Sequence, residues 1–215
     1  MPTRSTGRVV SCGFAAVGCL VVAGLAAGAM RQEAGEEDHR PRYAADGRLE
    51  VPKGYRSWTY VGTDLSPRYR SEEDVGKADA TPPEKEQPRP RGDDTFHAVY
   101  INPESYEAFL KTGQFPDPTI LVMEVFRAEE RDPGGVLASG QFQGKRVAIE
   151  AAVKDSKRPG GGVPWAYYDL PLDKDARPGK PAKAKPDQDC YQCHLKHASK
   201  DNVWVQFYPA LRDPE

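Results

Sequence analysis

The run FHAVYINPESYEAFLKTGQFPDPTILVMEV, residues 96–125, decides the fold. At its start Phe96, Ala98 and Tyr100 alternate with His97, Val99 and Ile101, the period of two that a half-buried strand shows. Asn102 then suits a helix cap and Pro103 a first helical turn. Tyr106, Phe109 and Leu110 fall on one helical face, and Gly113 supplies the stop. From Thr119 the chain returns to a β-rich run that lasts to Ala128. Strand, short helix, strand places both β and α elements in one stretch, which excludes a purely helical bundle.

Working outward, residues 58–63 upstream carry β-formers. Downstream, the turn Asp132-Pro133-Gly134-Gly135 predicts a strand over 136–142. Further strands are expected at 147–153 after Gly144, at 165–170 and at 203–208. The sum is an α+β domain, a predominantly antiparallel β-sheet with a few short helices, spanning residues 49–212. Two polar insertions interrupt it. Residues 71–94 contain Thr81-Pro82-Pro83 and Pro88-Arg89-Pro90-Arg91, and residues 173–189 hold Pro178, Pro181 and Pro186 among lysines. Both read as solvated loops, because proline and charge oppose regular pairing. Residues 30–48 are charged and poor in large apolar side chains, so they read as a disordered tether, His39 included.

Arg4 and Arg8 precede an apolar stretch that runs to Met30, and Ala27-Gly28-Ala29 offers a small-residue cleavage site. Residues 1–29 therefore read as a signal peptide, with an uncleaved membrane anchor as the alternative. An exported chain is periplasmic or otherwise extracytoplasmic. With Lys+Arg 30 against Asp+Glu 32 the formal charge is −2, a mild value that argues against nucleic acid as a partner.

Four cysteines occur. Cys12 and Cys19 lie in the leader, so the domain keeps two, in Cys190-Tyr191-Gln192-Cys193-His194. This C-x-x-C-H run is the attachment signature of a c-type haem. The two thiols bond the porphyrin vinyl groups, and the adjacent imidazole of His194 becomes the proximal iron ligand. A thioredoxin-like pair would want a βαβ context that this region lacks. A zinc site of Cys190, Cys193, His194 and His197 would be unusual, since such sites draw on two separated pairs. His197 itself is expected to face solvent. One covalent haem c fits the export signal, because attachment belongs to extracytoplasmic compartments.

The order of these pieces resembles the cytochrome P-460 family, which includes the cytochromes c′-β. The matching stretches are VPKGYRSWTYVGTDLSP from Val51, the opening run from Phe96, IEAAVKDSKRPGG from Ile149, WAYYDL from Trp165 and DCYQCHLKHASKDNVWVQFYPALR from Asp189. The resemblance implies a monohaem protein on an antiparallel sheet, usually a homodimer, with an open or weakly occupied sixth iron position. One branch oxidises hydroxylamine and carries a bond from a lysine to a porphyrin meso carbon. The c′-β branch lacks that bond and binds diatomic gases, nitric oxide especially.

Laid on the family pattern, the cross-linking lysine falls at Met123, and no lysine occurs between Thr112 and Gly144. A thioether has no amine to bond the macrocycle, so the lysine cross-link is expected to be absent. Met123 has three readings: an axial thioether ligand, a polarizable filler at the haem edge, or a plain core residue. His97, opposite the Phe96 and Tyr100 side, is a candidate to bond a propionate or a distal ligand, and equally a structural strand histidine. Phe96, Phe126, Phe142, Trp165 and Phe207 read as core first, one or two of them capping the distal face. Three functions follow: a binder of nitric oxide or a similar small ligand, an oxidoreductase acting on hydroxylamine or another small nitrogen compound, and an electron-transfer cytochrome with a redox partner and Met as sixth ligand.

Overall fold

The computed structural model describes residues 38–67, 94–137 and 139–213. The expected leader and nearly all of the insertion at 71–94 lie outside the described residues. Five antiparallel strands pair in chain order: β1 (Thr59–Leu65), β2 (Thr95–Ile101), β3 (Thr119–Arg131), β4 (Gly140–Lys154) and β5 (Trp165–Asp169). Among the described residues three helices accompany them, α1 (Pro103–Thr112), α2 (Tyr191–His197) and α3 (Pro209–Arg212), with 3₁₀ turns at Tyr55–Ser57 and Val205–Phe207. The α+β class and the antiparallel sheet are as the sequence implies.

The helix after β2 ends as expected, with Gly113 at φ 67° and its N–H donated to the Phe109 carbonyl. Its start differs. The Asn102 side chain makes no cap bond; its Oδ1 instead accepts the Ile120 N–H at 2.9 Å and ties helix to β3. Leu110 also departs from the expected face. Phe109 is buried but Leu110 is 41% exposed, so the apolar stripe is narrower than the spacing implies.

The two strands expected at 136–142 and 147–153 are one strand. Gly144 continues it, because a β-carbon there would run into the Glu129 side chain on β3. Register shifts beside Phe126 absorb the irregularity without ending the pairing. The expected strand at 203–208 is instead the turn Val205–Phe207 followed by α3. Phe207, expected in the core, is 54% exposed. Gly62 on β1 permits this C-terminal segment to close on the sheet: a β-carbon there would meet Pro209 Cδ at 3.0 Å.

Two segments read as solvated are built into the domain. Within 173–189, Ala182 is buried and exchanges backbone bonds of 2.9 Å with Leu49, while Lys185 N–H donates to the Tyr167 carbonyl at 2.7 Å. The pairing donors are Ala182 and Lys185. Pro181 and Pro186 sit beside them, where no donor is needed. Within 30–48, the part from Asp38 onward packs on the domain. Tyr43 donates its hydroxyl to Asp155 Oδ2 at 2.9 Å, and His39 Nδ1 lies 2.7 Å from Glu104 Oε1 with its ring edge-on to Trp58. Counting large apolar residues overlooks such single anchors.

The sheet separates two cores. One face joins Ile120, Val122, Ala151, Val153 and Tyr168 to Leu49, Tyr55 and Trp58. Within it Glu124, 1% exposed, accepts from Tyr55 Oη at 2.8 Å, Arg56 Nη2 at 2.7 Å and Arg146 Nη1 at 2.6 Å. Burial works to raise the Glu124 carboxyl, but these donors outweigh it and hold it below the usual carboxylate range. The opposite face joins Val99, Ile101, Leu121, Trp165 and Tyr167 to Phe109, Phe115, Val203 and Leu211. Met123, Cys190 and Tyr191 pack against this second core.

Candidate functional site

The site begins at the N-terminus of α2. Cys190 stands at the cap position with φ −126°, and the His194 N–H donates to its carbonyl at 3.0 Å, closing the first turn. Cys193 and His194 follow one turn on. Cys190 and Cys193 are free and partly buried. Burial pushes the Cys190 thiol up, with Glu150, Asp169 and Asp189 adding to the rise and Lys185 opposing it. The thiol is therefore kept protonated at neutral pH, and its carboxylate neighbours mark it as close to the sheet surface that Glu150 occupies.

His194 is held by both ring nitrogens. Nδ1 lies 2.8 Å from the Asn202 carbonyl oxygen, which only accepts, so Nδ1 carries the proton. Trp204 Nε1 donates to Nε2 at 3.1 Å, which requires a lone pair there. Both neighbours demand one tautomer. Burial pushes the imidazole pKa down, with the Asn202 carbonyl opposing, and the ring is neutral. Its face lies 4.4 Å from the Tyr167 ring and 5.0 Å from that of Trp204, centroid to centroid.

The Asn202 carbonyl is presented by a tight reversal. Asp201 and Asn202 adopt φ of 45° and 61°, and Lys200 bridges to Val203 across them. The left-handed region is tolerated best by Asn and Asp among residues with side chains. The Asp201 carboxylate anchors the reversal to the sheet, accepting from Lys154 Nζ at 2.7 Å and Trp165 Nε1 at 3.2 Å.

Met123 lies in a cross-strand row on the same face. The register pairs Gly62 with Val99, Val99 with Met123, Met123 with Glu150 and Glu150 with Asp169. Glu150 is partly buried there, and burial first, then Asp169, pushes its carboxyl up, with Lys185 opposing. His97 belongs to the next row, paired with Asp64 and Val125, and its Nε2 lies 3.0 Å from Thr95 Oγ1. The fold thus brings Met123 and Cys190 to one core and sets His97 between Asp64 on β1 and Val125 on β3. Phe96 and Phe126, paired with each other, alternate with Met123 and lie on the Glu124 side of the sheet. The His197 carbonyl accepts from Gln206 Nε2 at 3.0 Å.

Tyr167, Asn202, Trp204, Asp201 and Glu150 escape sequence reasoning. Only the pair Asp201-Asn202 carries a local signal, as residues prone to left-handed turns. Among the described residues no three His, Cys, Asp or Glu side chains are grouped to hold a metal ion by themselves. No described helix is long and apolar enough to cross a membrane.

Two thiols one turn apart, followed by an imidazole with a fixed Nδ1–H tautomer, are the donor set that covalent haem requires, and the residues present fit it. Fold and site define a haem-attachment domain on an antiparallel sheet. The cytochrome P460 family profile matches residues 52–205, and the chain belongs to that family, whose cofactor is haem c. No curated protein matches the chain.

Proposed function

We propose that the chain is an exported monohaem c-type cytochrome in which Cys190 and Cys193 hold the macrocycle and His194 is its proximal ligand. The distal side takes nitric oxide or a similar small ligand. The observation that carries this is the tautomer of His194: a neutral ring whose Nδ1–H is held by a carbonyl keeps Nε2 as the nitrogen with a free electron pair. When bound, haem would supply the iron chemistry that takes up a small ligand. The chain orients His194 through Asn202, and Val99 and Leu121 belong to the core against which Met123, Cys190 and Tyr191 pack. Trp204 Nε1 now donates to Nε2 and would release that nitrogen for a bound metal.

The same reading has no lysine cross-link. Met123 stands at the family's lysine position and offers no amine, and Lys154 on the neighbouring strand is committed to Asp201 and the Phe115 carbonyl. The leader supports a periplasmic or other extracytoplasmic site, and the family resemblance supports a homodimer. The deciding experiment combines the intact mass and haem-peptide map of native protein with its ferrous spectrum under nitric oxide and carbon monoxide. Expected are an ordinary c-type haem mass and a spectrum that shifts with either gas. A third protein–porphyrin bond, from Lys185 or any other lysine, would overturn the first. A low-spin spectrum indifferent to both gases would overturn the second in favour of an electron carrier with Met123 on the iron.

A second reading is favoured by Glu150. A carboxyl raised above its ordinary value by burial and by Asp169, in the register row of Met123, would be a proton donor and acceptor for a bound nitrogen compound, as oxidation of hydroxylamine requires. Turnover of hydroxylamine with an electron acceptor, lost in Glu150→Gln, would establish this reading over simple gas binding.

A further inference from the structure

One carbonyl serves two donors at the heart of this site. The Asn202 oxygen accepts His194 Nδ1–H at 2.8 Å and also the Tyr167 hydroxyl at 3.2 Å. We propose that Tyr167 tempers the donor strength of His194 by sharing that carbonyl, and that Lys154, Asp201 and Trp165 act with it as positioning residues that hold the carbonyl still. This rests on His194 being the axial ligand.

The physical argument runs through the acceptor. A carbonyl oxygen has two lone pairs and holds two donors, but each hydrogen brought to it lowers the negative potential felt by the other. The bond from an axial histidine to its acceptor raises the basicity of the ring and with it the ligand strength. A Tyr167 hydroxyl on the same oxygen therefore weakens the pull on Nδ1–H and leaves His194 a softer donor to iron. Sharing has this effect only if the oxygen cannot move toward one partner.

The surroundings prevent such movement. Asp201 grips β4 and β5 through Lys154 Nζ and Trp165 Nε1, and Lys154 is itself bound to the Phe115 carbonyl at 2.9 Å. On its other side Asn202 donates its side-chain Nδ2–H to the Tyr191 carbonyl at 3.3 Å, on α2 itself. Asn202 and Val203 are buried, and both residues of the reversal keep left-handed φ. Tyr167 is equally fixed: its Cα partner on β4 is Ala152, and its ring is buried against His194. The hydroxyl, the imidazole and the carbonyl have one arrangement.

The test reads the iron–imidazole stretch by resonance Raman spectroscopy of ferrous holoprotein, together with the haem midpoint potential. Tyr167→Phe keeps the ring and removes the hydroxyl. The stretch should move to higher frequency and the midpoint to lower potential, as a stronger ligand favours ferric iron. Replacing Tyr167 with a ring-fluorinated tyrosine, a stronger O–H donor, should move both the opposite way. Asp201→Asn, which loosens the reversal, should broaden the stretch. A stretch and potential unmoved in both Tyr167 variants overturn the proposal. Should Tyr167→Phe fail to load haem, the fluorinated variant decides by the sign of its shift. His194→Ala separates the two levels: if the stretch survives that change, His194 is not the ligand and the underlying reading fails. If the stretch vanishes there but ignores Tyr167, only the inference fails.

Discussion

Neighbouring residues of β3 face opposite sides of the sheet and meet opposite treatment. Glu124 points into the core of Leu49, Tyr55 and Val122, where two guanidinium groups and a phenol surround its carboxylate. Met123 points to the other side, in a row with Glu150, whose carboxyl is pushed up by burial with only Lys185 opposing. The first face pairs its buried carboxylate with three donors. The second keeps thiols half-buried, holds two residues at left-handed φ, and leaves Leu195 and Phe207 each 54% exposed. The difference teaches where stability and chemistry are housed: a buried charge that is completely paired locks elements together, whereas one left incompletely answered can titrate.

The comparison breaks most readily at Glu124. Glu124→Gln leaves two guanidinium groups without their counter-charge and should destabilise the domain by about 3 kcal/mol or more, measured by urea unfolding. The pH dependence follows from the sign of the shift. The folded carboxyl lies below its ordinary value, so its contribution is present above that value and is lost as the pH falls through the folded pKa. The variant should lack this acid limb, and an undiminished limb would place the coupling elsewhere.

Leu49→Ala tests whether the residues before β1 belong to the closed face. Leu49 is 0% exposed and paired with Ala182, so truncation should cost about 3 kcal/mol. A loss under about 0.5 kcal/mol would return residues 38–48 to the role of a tether.

Glu150→Gln should act in the other direction. The folded carboxyl is raised, so the unfolded chain ionises first as the pH climbs, and stability falls between the ordinary value and the folded one. Removing the titrating group should raise the unfolding midpoint at neutral pH and leave it unchanged near about pH 2, where both states are protonated. An equal gain at both pH values would show a packing effect instead. The smallest effect is expected at Leu110→Ala, within about 0.5 kcal/mol of the parent, because the side chain is already 41% exposed.

Much of the sheet was legible in residues 96–125 because alternation and caps are local properties. The merging of two expected strands at Gly144 was not, since that glycine is required by Glu129 on the partner strand. The loop at 173–189 was misjudged for a related reason. Its prolines announce irregular backbone, but the donors between them find Leu49 and Tyr167 through the fold alone. In the candidate site the C-x-x-C-H run is a contiguous signal and was read directly. Tyr167 and Asn202 are 35 residues apart, and their meeting on one oxygen depends on strand register and a reversed loop. Met123 was found only by the family pattern, and the register adds its neighbour Glu150.

The sheet has a further consequence as an order of events. Strands β1 to β5 pair each with its successor, so the platform assembles from neighbours along the chain without waiting for a distant segment. Helix α2, with Cys190 at its cap and Cys193 within it, follows the last of them in the chain, and α3 then closes back on Gly62 of the first strand. Along the chain the attachment residues follow a sheet whose strands pair without them. The cysteines thus take no part in pairing the strands, and the closing segment α3 lies beyond them in the chain.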